Sequence, residues 1–375
     1  MVRFLHTADW QMGMRAVHVG NKSKEIRLKR YETAQKIVEI AQQKKVDFVL
    51  IAGDLFEHHD VDEVVVKKTV DILNQFAPIP IFILPGNHDP YIPGGIWDRN
   101  SWQRVGTHIH LLDKEEEINL GTGVVLFPCP IKQKRSSLDS TVWMPMRETD
   151  ENKIRIGIAH GSLDILPDSI NFPISKKCAD EKGLDYLALG DWHSFFQNNR
   201  SVYSGTFEPT SFSETDSGNV VVVDIPAPNA SPKIEKCKCR SLTWTEFSLD
   251  IQDITDLEKL EKTLKTLGPL PSLVLRINVR VFSSQDDCVF QQLDTLRHEL
   301  DEMAFYLQWE QEEKINVGDD LDTRLPEGLL QNVNEALSDI LVGKIPQYPC
   351  NVFAGQDREV VQKAKNLLRS FQRRG

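Results

Sequence analysis

The chain has 375 residues, of which 40% are hydrophobic, so it is neither fibrous nor disordered and has room for two or three domains of about 100 to 200 residues. Its net charge of −11 excludes a surface that coats duplex DNA everywhere, although a local basic track remains compatible with it. Because no apolar run approaches the about 20 residues of a membrane helix and the six cysteines are scattered, we expect a cytoplasmic protein without a membrane segment.

The first 90 residues predict a β-α-β-α-β unit. Apolar runs predict strands at residues 2–8, 46–52 and 79–84, and helical spacing predicts helices at residues 27–44 and 66–73. Continuous apolar strands that alternate with amphipathic helices are typical of a largely parallel sheet that is covered on both faces.

From residue 109 to residue 225, shorter apolar runs follow one another without obvious helices between them. They predict strands at residues 110–112, 124–127, 154–159, 186–189, 202–203 and 220–225. We expect these strands to complete a first domain over residues 1–228. The prolines Pro226 and Pro228, followed by Asn229 and Ser231, are typical of a linker.

The rest of the chain predicts a small module and a tail. The module is an α+β capping domain over residues 235–315, with strands and helices alternating over residues 242–249, 253–267, 272–281, 285–303 and 305–309. Cys237 and Cys239 favour neighbouring strand positions over half of a zinc site. The helical tail, residues 320–375, contains helix candidates at residues 327–341 and 357–371.

Polar side chains follow five of the predicted strands directly. The segments are Leu5-His6-Thr7-Ala8-Asp9-Trp10-Gln11, Ala52-Gly53-Asp54-Leu55-Phe56, Pro85-Gly86-Asn87-His88-Asp89, Ala159-His160-Gly161 and Leu189-Gly190-Asp191-Trp192-His193. Taken singly, a Gly-Asp pair is more often a turn and a lone histidine more often a packed or surface residue. Because loops at the carboxyl ends of strands meet in one crevice, the five together predict a site for borderline divalent ions such as Mn²⁺, Fe²⁺ or Zn²⁺.

These segments resemble the calcineurin-like metallophosphoesterase superfamily, whose pattern is D-x-H, G-D, G-N-H-D, a later H and G-H-x-H. With Tyr203-Ser204-Gly205-Thr206, they are similar to the SbcD-like DNA double-strand-break repair nucleases over about residues 1–225. The resemblance implies an α/β fold, a four-layer sandwich of two mixed sheets flanked by helices. It also implies a DNA nuclease that acts on ends or single strands in repair, with an SbcC-like ATPase as partner. A homodimer is left open.

The resemblance further implies a role for each site residue. Asp9 and His193 would hold the first of two divalent metal ions, Asn87 and His160 the second, and Asp54 would bridge them. His88 would protonate or stabilise the leaving oxygen, which suits histidine because this side chain titrates nearest neutral pH. We expect Mn²⁺, with Mg²⁺, Fe²⁺ or Zn²⁺ as alternatives.

Two positions depart from the family pattern. Gln11 replaces the histidine of D-x-H, and Asp191 replaces the first histidine of G-H-x-H. Asp191 can still be a ligand and favours harder ions such as Mn²⁺ or Mg²⁺, whereas Gln11 is a poor ligand, so the first metal is expected to bind weakly or through water. The loop residues Glu57, His58 and His59 are candidates to compensate, although such a loop is more often an ordinary turn.

Basic and aromatic residues near these loops are candidates for contacting DNA. The basic candidates are Arg27, Arg30, Lys132, Lys134 and Arg135, which as charge runs are more often solvated faces. The aromatic candidates for stacking on unpaired bases are Trp10, Tyr91, Trp97, Trp102 and Trp192, of which at least half are expected to pack inside instead.

Two other functions stay open. One is a phosphodiesterase or phosphatase of small substrates. The long chain after residue 235 makes this somewhat less favoured, because such an enzyme needs no large capping domain. The other is a scaffold subunit in which Gln11 and Asp191 leave a weakened metal site.

The tail carries an apolar stripe at Val360, Val361, Ala364, Leu367 and Leu368. In the resembling nucleases the region after the cap binds the coiled-coil root of the ATPase, and an amphipathic helix suits such docking. Packing of the stripe onto the chain's own domain is equally compatible with the pattern.

Overall fold

The computed structural model describes residues 1–121, 123–149, 151–167, 170–281, 287–313, 329–343, 360–361 and 364–365. Its strands are β1 (Val2–Thr7), β2 (Phe48–Ala52), β3 (Ile81–Leu84), β4 (Ile109–Leu111), β5 (Ile118–Asn119), β6 (Val124–Cys129), β7 (Ile154–His160), β8 (Tyr186–Gly190), β9 (Phe196–Asn198), β10 (Ser201–Tyr203), β11 (Asn219–Ile225), β12 (Lys233–Lys238), β13 (Thr243–Ile251), β14 (Leu273–Val281) and β15 (Tyr306–Glu313). Its helices are α1 (Ser23–Lys44), α2 (Glu63–Leu73), α3 (Cys178–Glu181), α4 (Ile254–Leu267), α5 (Asp287–Met303) and α6 (Leu329–Leu341). Within this described part, none of the helices combines the length and apolarity needed to span a membrane.

Two six-stranded sheets form the first part of the chain. The first sheet has the strand order β12-β11-β1-β2-β3-β4, and the second has the order β5-β6-β7-β8-β10-β9. In the first sheet β1 to β4 run parallel, with Phe4 opposite Phe48 and Val49 opposite Ile81. In the second sheet β6, β7, β8 and β10 run parallel. Antiparallel strands at the edges make both sheets mixed.

Hydrophobic side chains pack in three layers around these sheets. Between the sheets, residues such as Phe4 and Leu50 of the first cluster with Ile156 and Ala188 of the second. The other face of the first sheet packs with residues of α1 and α2, and the other face of the second packs with residues of α3 and its preceding loops. The predicted sandwich of two mixed sheets flanked by helices is therefore confirmed.

The predicted linker after residue 225 is wrong. Strand β12 pairs antiparallel with β11, with Val222 opposite Glu235, so the prolines and Asn229 form the turn of a hairpin at the edge of the first sheet. Asn229 has a φ of 65°, which asparagine adopts more readily than most residues. Proline and asparagine favour turns as much as linkers, which is why composition alone misplaced the boundary.

Contacts divide the chain into two compact units. The first comprises Met1–Glu246, Leu267–Leu275 and Met303–Leu307, and the second comprises Phe247–Thr266, Arg276–Glu302 and Gln308–Gly375. Strands β13, β14 and β15 form a three-stranded sheet in that order, with α4 and α5 between consecutive strands. The predicted β-α-β-α-β pattern is confirmed, whereas the extents of the capping domain and tail stay predictions.

Only part of the predicted tail lies within the described residues. Helix α6 corresponds to the candidate at residues 327–341. The candidate at residues 357–371 falls outside them except at four positions, among which Val361 is fully buried and Val360 is 47% exposed.

Candidate metal centre

The predicted site residues lie at or just after the carboxyl ends of parallel strands from both sheets. Asp9 and Gln11 follow β1, Asp54 follows β2, and the Asn87 loop follows β3 of the first sheet. His160 ends β7 and the Asp191 loop follows β8 of the second sheet. An isolated parallel bridge between Ala8 and Thr206 joins the two sheets beside the site. Because the strand ends of both sheets meet there, loops far apart in sequence surround one point.

Four of these residues adopt a left-handed backbone conformation. The φ angles are 53° for Asp9, 40° for Gln11, 53° for Asp54 and 99° for Asp191. Such conformations cost about 1 to 3 kcal/mol each outside glycine and concentrate at functional sites, where the surrounding structure holds them. The four left-handed backbone conformations therefore support a functional role for the cluster, independently of its side-chain chemistry.

Backbone hydrogen bonds join the first two loops. The Asp9 N–H donates to the Gly53 carbonyl at 3.1 Å, and the Gln11 N–H donates to the Asp54 carbonyl at 2.9 Å. These contacts continue the parallel pairing of β1 and β2 beyond the strands themselves. The carboxylates of Asp9 and Asp54 are therefore held by a rigid backbone.

Asp9, Asp54 and His160 form the centre of the cluster. One ligand atom from each lies within 4.8 Å of the others, and all three side chains are buried. His160 Nε2 lies 3.3 Å from Asp54 Oδ2 and 2.8 Å from Asn87 Oδ1. Asp191 Oδ1 lies 3.9 Å from the same nitrogen, so the substituted position also reaches the centre.

The orientation of His160 fits a metal ligand. Its Nδ1 lies 2.8 Å from the Ala52 carbonyl oxygen, which can only accept, so Nδ1 carries the ring hydrogen. Nε2 then faces the oxygens of Asp54 and Asn87, which accept its hydrogen while the ring is protonated and which a cation would satisfy once that hydrogen is lost. Carboxylate oxygens, an amide oxygen and an imidazole nitrogen are the donor set of Mn²⁺ and similar ions, so the residues present fit such a metal.

Burial and neighbouring charge shift the pKa values of the central groups. Burial raises the pKa of Asp9 to about 6, even though His193 and His160 act to lower it. Burial opposes ionisation of Asp54 too, but the charge and hydrogen bond of His160, together with those of His88, outweigh it and lower the pKa of that carboxyl. For His160, burial acts to lower the pKa, but the charge and hydrogen bond of Asp54, with the charges of Asp9 and Asp191, outweigh it and raise the pKa of the ring well above its usual value.

Glycines let the central loops approach one another closely. A Cβ on Gly53 would clash with the His160 ring, and a Cβ on Gly190 would clash with the Ala52 carbonyl oxygen. A Cβ on Gly86 would clash with the Asp54 carboxylate. The glycines of three of the five segments are thus required by close packing around the centre.

His88 lies at the edge of the centre and is half-buried. Its backbone N–H donates to Asp54 Oδ1 at 2.9 Å, and its Nδ1 lies 2.8 Å from the Glu57 carbonyl oxygen. Since that carbonyl accepts the Nδ1 hydrogen, Nε2 is the ring nitrogen left for chemistry.

The loop residues after Asp54, which were candidates to compensate for Gln11, make turn contacts in the described part of the chain. Glu57 contributes its backbone carbonyl to His88. The Nδ1 atoms of His58 and His59 accept backbone N–H groups of Asp60 and Ile96 at 3.1 Å. The ordinary turn interpretation of these residues is therefore the better one.

On the other side of the centre, Gln11 meets His193. Gln11 Nε2 lies 3.2 Å from His193 Nε2, and Glu214 Oε1 lies 2.6 Å from His193 Nδ1. Burial acts to lower the pKa of His193, but the hydrogen bond to Glu214 and the charges of Asp9, Glu214 and Asp54 together outweigh it and raise that pKa to about 9. Sequence reasoning missed Glu214, because it lies in an irregular loop with neither periodicity nor a strand end to mark it.

The predicted DNA contacts occupy different environments. Arg30 is 2% exposed and donates to the backbone carbonyls of Trp10 and Asp9 at 2.7 and 3.1 Å, so it braces the Asp9 loop from inside rather than facing solvent. Arg27 lines a cavity of about 420 Å³ together with Arg15, Lys24 and Lys68. The basic residues after β6 are exposed, namely Lys132, Lys134 and Arg135.

Most of the aromatic candidates are packed inside. Trp10, Trp97 and Trp102 are buried, with exposed fractions of at most 5%, as expected for at least half of the group. Tyr91 and Trp192 are half-buried. Trp192 lines a second cavity, of about 440 Å³, that Asp191 and His193 also line.

Comparison with known proteins gives the following similarities. The family profile described as calcineurin-like phosphoesterase matches residues 2–195. The D subunits of the SbcCD nucleases of Staphylococcus epidermidis and Staphylococcus saprophyticus subsp. saprophyticus are each 26% identical over 245 residues, which is 57% of this chain and 63% of each relative. The uncharacterized metallophosphoesterase YhaO of Bacillus subtilis is 23% identical over 265 residues, 67% of this chain and 63% of YhaO.

The chain thus spans somewhat less than two thirds of the length of these relatives. Among solved structures, TT1561 of Thermus thermophilus matches with a TM-score of 0.40 and 13% identity, over 64% of this chain and 99% of TT1561.

Proposed function

Because the chain belongs to the calcineurin-like phosphoesterase family, and is accordingly a hydrolase of phosphoester bonds, we propose that it is a metal-dependent DNA nuclease. The observation that carries the proposal is the buried cluster of Asp9, Asp54 and His160. A cavity nearby is lined by Arg15, Lys24, Arg27 and Lys68, along with Asp60 and Asp62. Two relatives named as nuclease subunits support DNA as the substrate.

Seven side chains would hold two divalent metal ions. Asp9, Gln11 and His193 would hold the first, Asn87, His160 and Asp191 the second, and Asp54 would bridge them. When bound, such ions supply an activated water and neutralise the charge that builds on phosphorus. We infer Mn²⁺ as the metal, since the carboxylate at Asp191 in place of an imidazole favours a harder ion.

The chain's own residues orient the reaction. The His88 backbone N–H donates to the Asp54 carboxylate, so one loop residue both orients the carboxylate that would hold the metal ions and carries the proposed proton donor. With Nδ1 held by the Glu57 carbonyl, a protonated His88 would carry its second hydrogen on Nε2. This hydrogen would be given to the leaving oxygen, or would stabilise its charge, as the phosphodiester bond breaks.

Two cavities favour an extended strand over a small substrate. The cavity containing Arg15, Lys24, Arg27 and Lys68 would neutralise phosphates beyond the bond that is cleaved. It adjoins the metal centre through Met12, which follows Gln11 and whose N–H donates to the Leu55 carbonyl at 2.9 Å. Trp192 in the second cavity offers an aromatic side chain for an unpaired base, so we propose DNA ends or single strands as substrates.

We further propose that the protein works in DNA repair in the cytoplasm with an SbcC-like ATPase. The names of two relatives, each a subunit of SbcCD, support this partner. The tail is the proposed contact, although the burial of Val361 supports packing of at least one stripe residue onto the chain itself.

The test compares three substrates at equal Mn²⁺. Wild-type protein is incubated with single-stranded oligonucleotide, duplex oligonucleotide and bis(p-nitrophenyl) phosphate, with Asp54→Ala as the control that should lose metal and turnover together. The proposal expects metal-dependent cleavage of single strands or ends and poor turnover of the small diester. Efficient turnover of the small diester alone would favour the small-substrate alternative, and no turnover of any substrate would favour the scaffold alternative.

A further inference from the structure

A buried carboxylate contacts the candidate ligand His193 at the ring nitrogen that Gln11 does not contact. Glu214 Oε1 lies 2.6 Å from His193 Nδ1, and the Glu214 side chain is 6% exposed. Since the carboxylate accepts this short hydrogen bond, Nδ1 carries a ring hydrogen. The other nitrogen, Nε2, lies 3.2 Å from Gln11 Nε2 on the side of the centre.

The Glu214 carboxylate is itself held by its own loop. The Thr210 N–H donates to Oε2 at 2.6 Å, the Thr210 hydroxyl donates to Oε1, and the Ser211 N–H donates to Oε2 at 3.4 Å. The Ser217 hydroxyl donates to the Glu214 carbonyl at 2.9 Å and fixes the backbone. Three donors besides His193 thus set the direction of the carboxylate, so it orients the ring rather than following it.

The two candidate histidine ligands differ in what holds them. His160 donates its Nδ1 hydrogen to a neutral backbone carbonyl at Ala52, whereas His193 donates to a carboxylate. A carboxylate behind a ligand imidazole fixes its tautomer and ring orientation and makes it a stronger donor to the metal.

We propose that Glu214 is a positioning residue that fixes His193 as a ligand of the first metal and strengthens its bond to that ion. This proposal rests on the proposed metal-dependent function. In it, Glu214 partly compensates for the weak ligand Gln11. Neutral Gln11 leaves the first metal one imidazole short, and a strengthened His193 would offset part of that loss.

The test is a calorimetric titration of Mn²⁺ into the full chain without substrate. Glu214→Gln removes the charge but keeps the shape, and Glu214→Ala removes the contact altogether. We expect one of two binding steps to weaken by about 10- to 100-fold, more in Glu214→Ala than in Glu214→Gln, with the other step unchanged. Asn87→Ala should weaken that other step, which assigns the two steps to the two sides of the centre.

The matched control is Ser217→Ala, which loosens the backbone at Glu214 without touching its carboxylate. It should bind Mn²⁺ like the wild type. Two unchanged steps in both Glu214 variants, or an equal loss of both steps, or the same loss in Ser217→Ala, would overturn the positioning role. The titration contains no substrate, so its outcome does not depend on nuclease activity. Absence of DNA cleavage by the wild type would therefore contradict the nuclease proposal without affecting the measured Mn²⁺ affinities. A wild type that binds no Mn²⁺ would overturn both.

Discussion

The backbone N–H of Asp191 donates to the carboxylate of Asp9, with its nitrogen 3.1 Å from Oδ1 and 3.3 Å from Oδ2. The two residues are 182 positions apart and follow strands of different sheets. Asp9 also accepts hydrogen bonds from Arg30 and Thr206 through its backbone carbonyl. The carboxylate is therefore oriented by the protein alone, so metal binding at Asp9 would require little rearrangement.

Replacing Gln11 by histidine should tighten the first metal. An imidazole nitrogen is a stronger donor to Mn²⁺ than an amide oxygen, and histidine tolerates the φ of 40° at this position better than most residues. We expect Gln11→His to lower the Mn²⁺ concentration at half-maximal activity. An unchanged metal titration would mean that position 11 does not reach the metal.

Replacing Gly190 by alanine should disrupt the hydrogen bond that orients the His160 ring. The added Cβ would clash with the Ala52 carbonyl that accepts the His160 hydrogen bond. We expect a fall in thermal stability together with loss of Mn²⁺ binding. Gly121→Ala is the control, because Gly121 has a φ of 76° but open space around it, so only a backbone cost of about 1 kcal/mol is expected there. Equal effects of the two variants would contradict the steric argument.

Replacing His88 by alanine should separate catalysis from metal binding. The ring contacts the Glu57 carbonyl, while the contact with Asp54 comes from the His88 backbone and survives the change. We expect metal binding to persist and the turnover number to fall by about 100-fold or more. Loss of Mn²⁺ in His88→Ala would instead identify His88 as a ligand.

Metal affinity should rise with pH between about 6 and 9. Protons compete with metal at Asp9, whose pKa is raised to about 6, and at His193, whose pKa is raised to about 9. Near pH 7 Asp9 is already mostly ionised, so His193 and His160, whose pKa is also raised, are the groups expected to release protons on binding. Calorimetry in buffers of different ionisation enthalpy measures this release, and an affinity independent of pH would contradict the assignment.

Deleting residues 345–375 should separate hydrolysis from partner binding. The strand-end loops of the metal centre all lie before residue 215, so metal-dependent cleavage of a short oligonucleotide should persist. Co-purification with an SbcC-like ATPase should be lost if the tail docks onto it. Unfolding of the truncated chain, or full association without the tail, would show that this segment belongs to the chain's own fold.

The sequence could point to the residues of the candidate centre as a group because their signal is local. Asp54 and Asn87 each stand directly after an apolar strand, and parallel strands place such positions at one edge of a sheet. The roles of these residues required the family resemblance, since the spacing by itself leaves a turn equally acceptable. The structure brings the residues together, and their binding of metal stays a prediction.

Other features depend on contacts that no local pattern encodes. Arg30 belongs to a basic run typical of a solvated helix face, yet α1 turns this residue inward onto the Asp9 loop. Glu214 lies 21 residues from His193 and reaches it only through the shape of an irregular loop. The hairpin at Asn229 could not be predicted without knowing that β12 pairs with the edge of the first sheet at β11.

The division of the ligand set between two sheets has a consequence for the order of biosynthesis. Asn87 and His160 face each other across 73 positions of sequence, and Asp9 and Asp191 across 182. A nascent chain that has been translated only through β6 carries Asp9, Asp54 and Asn87 but neither candidate imidazole ligand. Such long-range contacts form late because their loop-closure entropy must be offset first. The complete candidate ligand set therefore exists only once the second sheet has formed, so metal binding by this set would have to follow the folding of both sheets.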